Sequence, residues 1–392
     1  MPDHERTDHD LAIVGAGIAG LTCALALAAR GREVTVIEAF DEPSEIGAGL
    51  QVPPNAAHIL DKLGVLGALN ARAVRPAALC LGDSVSGRIV LEMPVNGEAN
   101  APPYLTAHRA IVHGVLYSAA RADVRVQPLQ GHRIVKVAEH DDRVELTAAR
   151  GEAHVTLSAR CVIAADGIWS NLRSAVPGAA RPEPTGRIAL RAVVPAPAER
   201  ADDKVVAWMA PRAHLVTYPV RNAATRNLVA VTSGTGRGEG WSHSVDLATL
   251  DALFARLGET PVAGLAERAD WTLWPLYALA PDAAWHTARI GLIGDAAHGI
   301  EPFAAQGAAM AIEDGWLLAQ AIERHDGNPQ AAFAAFRQQR LPRIERVARR
   351  TAFNRFTYHQ AGIGRLARNA AFRMRPPAAF RRDLDWLYGY RA

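Results

Sequence analysis

Gly15, Gly17 and Gly20 stand in the order Gly-x-Gly-x-x-Gly directly after the apolar run Leu11-Ala12-Ile13-Val14, and Glu38 follows eighteen residues after the last glycine. Glycines at this spacing let backbone N–H groups approach a pyrophosphate at the start of a helix, where the dipole favours negative charge. Ile18 and Ala19 fall in that first helical turn. A carboxylate placed like Glu38 accepts hydrogen bonds from a ribose diol. A glycine-rich packing turn would account for Gly20 but leaves Glu38 without a task. A second acid, Asp295, ends the apolar stretch Ile290-Gly291-Leu292-Ile293-Gly294, and Gln306-Gly307-Ala308 then opens a long helical pattern. Asp295 either caps a helix or presents its carboxylate to another polyol. The helix start after Gln306 favours an anionic ring in front of it.

A third set of residues has a different chemistry. His214 and Tyr218 lie four apart in Ala213-His214-Leu215-Val216-Thr217-Tyr218-Pro219. On a strand, residues two or four apart point to one face, so both can line one cavity wall; the alternative is a histidine satisfied on a sheet surface. Arg187, Arg191 and Arg221 are candidates to clamp a carboxylate bidentately or are simply solvated. Trp208 and Phe303 either stack on an aromatic ligand or pack in a core. His298 follows the Gly-Asp turn and reads as packing there, and Cys23 reads as a small buried hydrophobe. The three cysteines are too few for a disulfide framework or zinc site, so no metal is expected. No Ser-His-Asp set points to hydrolysis.

The elements that must position these residues change character along the chain. Leu11–Val14, the helical pattern to Arg30, and Val34–Glu38 form a βαβ unit. Between Pro182 and Trp285 short strands replace the βα alternation: Arg187–Val194, Lys204–Met209, Ala213–Val220, Arg226–Thr232 and Trp271–Leu276, with a helical crossover over Asp246–Ala266. Residues 76–104 also read as sheet. The expected fold is therefore α/β: a Rossmann-like dinucleotide-binding domain interleaved with a mostly antiparallel β-sheet substrate domain, plus C-terminal helices. The division follows as 1–75, 105–178 and 285–345 for the first, 76–104 and 179–284 for the second, and 346–392 for a helical cover.

Composition sets limits on the rest. The chain has 392 residues, 49% hydrophobic and 21% charged, which excludes disordered and fibrous classes. A net charge of +3 excludes a polyelectrolyte built for nucleic acid. The apolar stretch Leu11–Ala29 contains the three glycines and reads as strand and helix rather than a membrane span. An acidic N-terminus and few cysteines point to the cytoplasm. Fourteen arginines fall between Arg337 and Arg391 against three acids. They interleave with Leu341, Ile344, Val347, Phe353 and Phe356 at helical spacing, as in helices that bury an apolar face and expose arginine.

The chain resembles the class A flavoprotein monooxygenases, the FAD-dependent aromatic hydroxylases, on motifs running from residue 11 to 314. Cys161-Val162-Ile163-Ala164-Ala165-Asp166-Gly167-Ile168-Trp169-Ser170 is similar to that family's Asp-Gly signature. Arg109 is similar to its FAD-phosphate arginine, and Gly47-Ala48-Gly49-Leu50-Gln51-Val52-Pro53-Pro54-Asn55-Ala56 to the segment beside the flavin. The Ala-Gln-Gly-Ala-x-Met helix opening looks like the salicylate, 3-hydroxybenzoate and 6-hydroxynicotinate hydroxylase branch. The resemblance implies non-covalent FAD held by Gly15, Gly17, Ile18, Ala19, Gly20, Glu38, Ala48, Gln51, Arg109, Asp166, Asp295, Gln306, Gly307 and Ala308. It implies NADH or NADPH as co-substrate, O2, and a small aromatic substrate hydroxylated through a flavin C4a-hydroperoxide. It also implies that His214 and Tyr218 adjoin the substrate, where a positioned histidine would help ionise a phenol near pKa ~10. Neither a membrane nor a nucleic acid is an implied partner, and the chain is a monomer or a homodimer. A reductase or dehydrogenase on the same scaffold, without oxygen insertion, is the other reading. Glu301 departs from the pattern and places a charge near the expected cavity.

Overall fold

The computed structural model describes residues 7–42, 48–97, 101–195, 203–221, 225–235, 243–258 and 269–392. The strand Thr7–Val14 pairs in parallel with Val34–Ile37 on one side and Ala153–Ala164 on the other. Its four consecutive apolar residues, Leu11 to Val14, are all buried, as a strand covered on both faces requires. Ile290–Leu292 and Val126–Leu129 extend the parallel set. Antiparallel Val144–Arg150 and Arg133–Glu139 complete a seven-stranded sheet. Parallel pairing puts the C-terminal ends of the first strands on one edge. Gly15, Glu38, Asp166 and Gly294 therefore leave the sheet side by side, the place where open α/β sheets bind ligands.

The helix Ile18–Ala28 is buried along its whole length. It packs on Gly307–Arg324 so closely that a Cβ on Gly315 would lie 2.6 Å from the Cys23 backbone nitrogen. This explains the apolar stretch after Gly15 without a membrane. Among the described residues no helix is long and apolar enough to cross one.

The second sheet has eight strands, in the order His243–Ser244, Thr272–Ala278, Glu183–Pro195, Thr225–Ser233, Ala213–Val220, Val205–Ala210, Ala78–Asp83 and Arg88–Pro94. Every neighbouring pair is antiparallel except Val205–Ala210 with Ala78–Asp83. The helix Leu247–Leu257, capped by Asp246 Oδ1 on the Thr249 N–H at 2.7 Å, covers one face through Leu253 and Leu257. Residues 259–266 of the expected crossover lie outside the described residues. The other face turns toward the first sheet. There the two-stranded ribbon Gly49–Val52 and Leu105–His108 joins the two halves. Asn227 Oδ1 accepts from the Gly49 N–H at 2.6 Å, and Thr106 Oγ1 donates to the Pro219 carbonyl at 2.7 Å.

Three helices, Pro329–Tyr358, Gly362–Met374 and Pro377–Tyr388, close the chain. The expected division at 345/346 falls inside the first of them, which runs unbroken from Pro329 to Tyr358. The arginine tail also needs correction. Arg340, Arg343 and Arg368 are buried rather than solvated, while Phe353 and Phe356 are 55% and 68% exposed. Charge decides this: Glu313 and Asp314 of the Gly307–Arg324 helix are fully buried and require cations, which Arg340 and Arg343 bring. Asp83 of the second sheet likewise takes Arg365 and Arg368.

Candidate active site

Gly15 has φ of +104°, and a Cβ there would meet the Ala165 carbonyl oxygen at 2.5 Å. The turn thus packs directly on the residue before Asp166. Gly20 touches Gly15 from the helix side, whereas Gly17 faces open space. The Glu38 carboxylate crosses to this loop and accepts the Ala16 N–H at 2.7 Å and the Phe40 N–H at 3.1 Å. A shallow cavity next to it is lined by Ala16, Val36, Glu38, Tyr117, Arg121 and Gln130. Ile18 and Ala19 lie buried in the first helical turn, and the Ala19 Cβ stands 3.0 Å from where a Cβ on Gly294 would be. Asp295 follows Gly294 and is exposed beside the glycine turn.

Arg173 ties the two acidic turns together. Its guanidinium donates to the carbonyls of Ile168 at 2.7 Å, Ala296 at 2.9 Å, and Gly167 and Asp295 at 3.2 Å. Asp166 accepts the Asn171 N–H at 3.0 Å through Oδ2, while its Oδ1 is buried without a partner. Burial pushes this carboxyl up from its ordinary value. His298 packs on Trp285 and meets Asp314 at 2.6 Å, the packing role expected of it.

Gln306 stands just before Gly307, whose Cβ position is open. Its Oε1 accepts from Asn55 Nδ2 at 3.3 Å, and its Nε2 is buried with no partner. Asn55 also donates to Glu313 at 2.7 Å, so the Gln306 turn rests on the Glu313–Arg340–Arg343 network. Ala308 is half-buried in the first helical turn. Ala48 is buried, and its carbonyl accepts the Arg109 N–H at 3.0 Å; the Arg109 side chain has no protein partner among the described residues. Gln51 takes the Tyr104 hydroxyl at 2.6 Å on Oε1. Gly47 lies outside the described residues.

Cross-strand register assigns the residues of the second sheet to one face. His214 lies opposite Val231, and Val231 opposite Ala189, which pairs Trp274. Two residues along, Val216, Val229 and Arg191 form the next row, and Tyr218 with Asn227 a third. Directly opposed residues share a face, so His214, Tyr218, Arg191, Asn227 and Trp274 all point away from the Leu247–Leu257 helix. This is the face toward the Gln306 turn: the Phe303 ring lies tilted against His214 at 5.0 Å, and Gly49 lies against Tyr218. Arg191 stands over the Trp274 ring at 5.0 Å with its Nε buried and unpaired. Burial lowers its pKa, and it lowers that of His214 to about 3, with His359 adding to the effect. Burial raises the Tyr218 phenol.

Several alternatives left open by the sequence close here. Trp208 is core, packed on Gly82. Arg221 is exposed at a turn. Arg187 bonds to Glu301, which also takes Arg355 at 2.9 Å, so the charge of Glu301 is matched on both sides. Asn227, Arg340 and His359 were not visible as site residues, and Asn55 and Glu313 stood inside quoted motifs without a role of their own; each is brought in by a contact distant in sequence. Among the described residues no group of three His, Cys, Asp or Glu is placed to hold a metal.

Residues 8–351 match the family model described as an FAD binding domain. The 3-hydroxybenzoate 6-hydroxylase of Klebsiella oxytoca is 34% identical over 97% of this chain and 96% of its own length. The 6-hydroxynicotinate 3-monooxygenase of Bordetella bronchiseptica is 33% identical over 86% of this chain and 89% of its own. Among solved structures, a salicylate hydroxylase substrate complex superposes with a TM-score of 0.78 at 22% identity, covering 98% of this chain and 96% of that one. On these matches the chain belongs to this family: it is a class A flavoprotein monooxygenase, an FAD-dependent aromatic hydroxylase that draws on NAD(P)H and O2.

Proposed function

We propose that the substrate is a small phenolic acid of the hydroxybenzoate or hydroxypyridine-carboxylate kind, bound against the sheet face that carries His214, Arg191 and Tyr218. The observation that supports this most is the pairing, on one face, of a buried neutral histidine with a half-buried arginine whose Nε is itself buried without a partner. A neutral imidazole suits a phenol O–H, and an unpaired guanidinium suits a carboxylate. The named substrates of the two relatives carry both groups.

The residues present fit FAD. Gly17 and Gly307 open onto free space, and the orphaned polar atoms Asp166 Oδ1, Asn55 Oδ1 and Gln306 Nε2 belong to segments along the same groove. In this reading Gly15, Gly17, Ile18, Ala19 and Gly20 hold the pyrophosphate, with Arg109 as counter-charge. Glu38 and Asp295 take the ribose and ribityl hydroxyls, and Asp166 supports the same groove. Ala48, Gln51, Gln306, Gly307 and Ala308 flank the ring. Segments 1–75, 105–178 and 285–328 then make the FAD-binding domain, and 76–104 with 179–284 the substrate domain. When bound, FAD supplies the hydride acceptor and the oxygen chemistry. The chain's own residues do the rest. Arg191 orients the carboxylate, His214 takes up the phenolic proton, and Phe303 with Trp274 keeps water from the ring being hydroxylated.

The test is binding selectivity. Arg191→Gln should weaken 3-hydroxybenzoate binding roughly ten- to a hundredfold, the worth of one charge-assisted pair, and leave 3-hydroxybenzyl alcohol unaffected. Equal loss for both ligands, or for neither, would remove Arg191 from carboxylate recognition.

A further inference from the structure

His359 ends the Pro329–Tyr358 helix, 145 residues from His214 in sequence, and its Nε2 lies 3.1 Å from His214 Nδ1. The two rings differ in access: His214 is 1% exposed, whereas His359 is partly open to solvent. Phe303 and Tyr358 flank the His214 ring at 5.0 and 5.4 Å, and its Nε2 has no protein partner among the described residues. Arg355 faces His359 from its own helix, Phe303 from the turn before Gln306, and Arg187 and His214 from the sheet. Glu301 stands behind both arginines, and the Arg212 N–H holds the His359 carbonyl at 3.4 Å.

We propose that His359 is the second carrier of a two-histidine proton wire, joining His214 in the substrate cavity to bulk water. The proposal rests on the reading of His214 as the acceptor of the substrate's phenolic proton. The substrate O–H breaks as the His214 Nε2–H forms. The His214 Nδ1–H passes its proton to His359 Nε2, and the His359 Nδ1–H passes one to water. One proton leaves for each one taken, and both rings end neutral with their tautomers exchanged. The bond between them is then reversed and ready to return a proton when the hydroxylated ring needs one. Geometry makes the second carrier necessary, because His214 is 1% exposed and His359, 3.1 Å away, is the neighbour that reaches solvent. Burial lowers the pKa of His214 to about 3, and burial with the Arg187 and Arg355 charges lowers that of His359 to about 4. Neither ring can keep a proton taken from a phenol whose own pKa is ~10, so the proton must go on to water.

The experiment mixes the oxidised holoenzyme with 3-hydroxybenzoate, without NAD(P)H, and follows phenolate absorbance with a pH-indicator dye by stopped flow. The wild type should release a proton as the phenolate appears. His359→Ala should slow both signals at least tenfold, and added imidazole should restore the rate by replacing the missing carrier. His359→Gln keeps a hydrogen-bonding group beside His214 but cannot relay, so it should be slow too. Unchanged rates in both variants overturn the proposal, as does slowing in His359→Ala that imidazole does not relieve. If His214→Ala forms phenolate like the wild type, or the wild type forms none, the reading of His214 itself is what fails.

Discussion

Replacing His214 by alanine is expected to lower the rate of hydroxylated product formation by about 10²- to 10⁴-fold, the usual contribution of a positioned general base. Flavin content should stay normal, because His214 lies on the second sheet and touches none of the segments around the glycine turn. The loss should appear as NAD(P)H consumed without product, so the ratio of product to NAD(P)H is the sensitive quantity. The pH profile carries a second expectation. Burial holds the His214 pKa at about 3, so the imidazole stays neutral between pH 5 and 8. No loss of coupling from histidine protonation should occur in that window. Product yield in His214→Ala equal to the wild type across pH would place the proton acceptor elsewhere.

The second large effect is structural. Arg340→Met should destabilise the protein by about 3–5 kcal/mol, because it strips a cation from two fully buried carboxylates. Arg340 donates to Glu313 at 2.6 Å and to Asp314 at 2.7 Å. Asp314 in turn holds the Gly294 N–H at 2.8 Å and His298 at 2.6 Å, and Glu313 holds Asn55. The damage should therefore reach both the Asp295 turn and the Gln306 turn, and flavin should be lost along with stability. Thermal unfolding of the purified protein, with flavin release read by fluorescence, checks this. An unchanged midpoint would show that Arg343 alone neutralises the pair. Although burial opposes ionisation of Asp314, His298 and Arg340 hold its carboxyl below the ordinary range. Its depressed value means the contribution is complete at neutral pH and is lost only as the pH falls below about 4.

The parts of this site that the sequence displayed are those built from neighbouring residues. The glycine turn, Glu38 and the Gly294-Asp295 ending are local patterns, since a strand must end and a helix begin within a few residues. The short strands from 183 to 278 were equally legible, because alternation and turn residues are local too. The histidine and tyrosine of Ala213–Val220 shared a face by their spacing alone. What spacing could not show was which distant groups meet. Arg340 and Arg343 read as solvated because their acids, Glu313 and Asp314, lie on another helix. Phe353 and Phe356 read as packing because helical spacing identifies a face but not whether anything covers it. Arg191 could be told apart from Arg187 and Arg221, equal candidates in the sequence, only when three rows of cross-strand register placed it between His214 and Tyr218. His359 could not be connected to His214 before the long helix was seen to end beside the sheet.

The most direct measurement is the fate of labelled oxygen. The purified yellow protein, given NAD(P)H, 3-hydroxybenzoate and 18O2, should yield a dihydroxybenzoate carrying one 18O atom for each NAD(P)H consumed. An aromatic product without label, or NAD(P)H oxidation that ends only in hydrogen peroxide across both hydroxybenzoates and hydroxypyridine carboxylates, would contradict hydroxylation of a phenolic acid at this site.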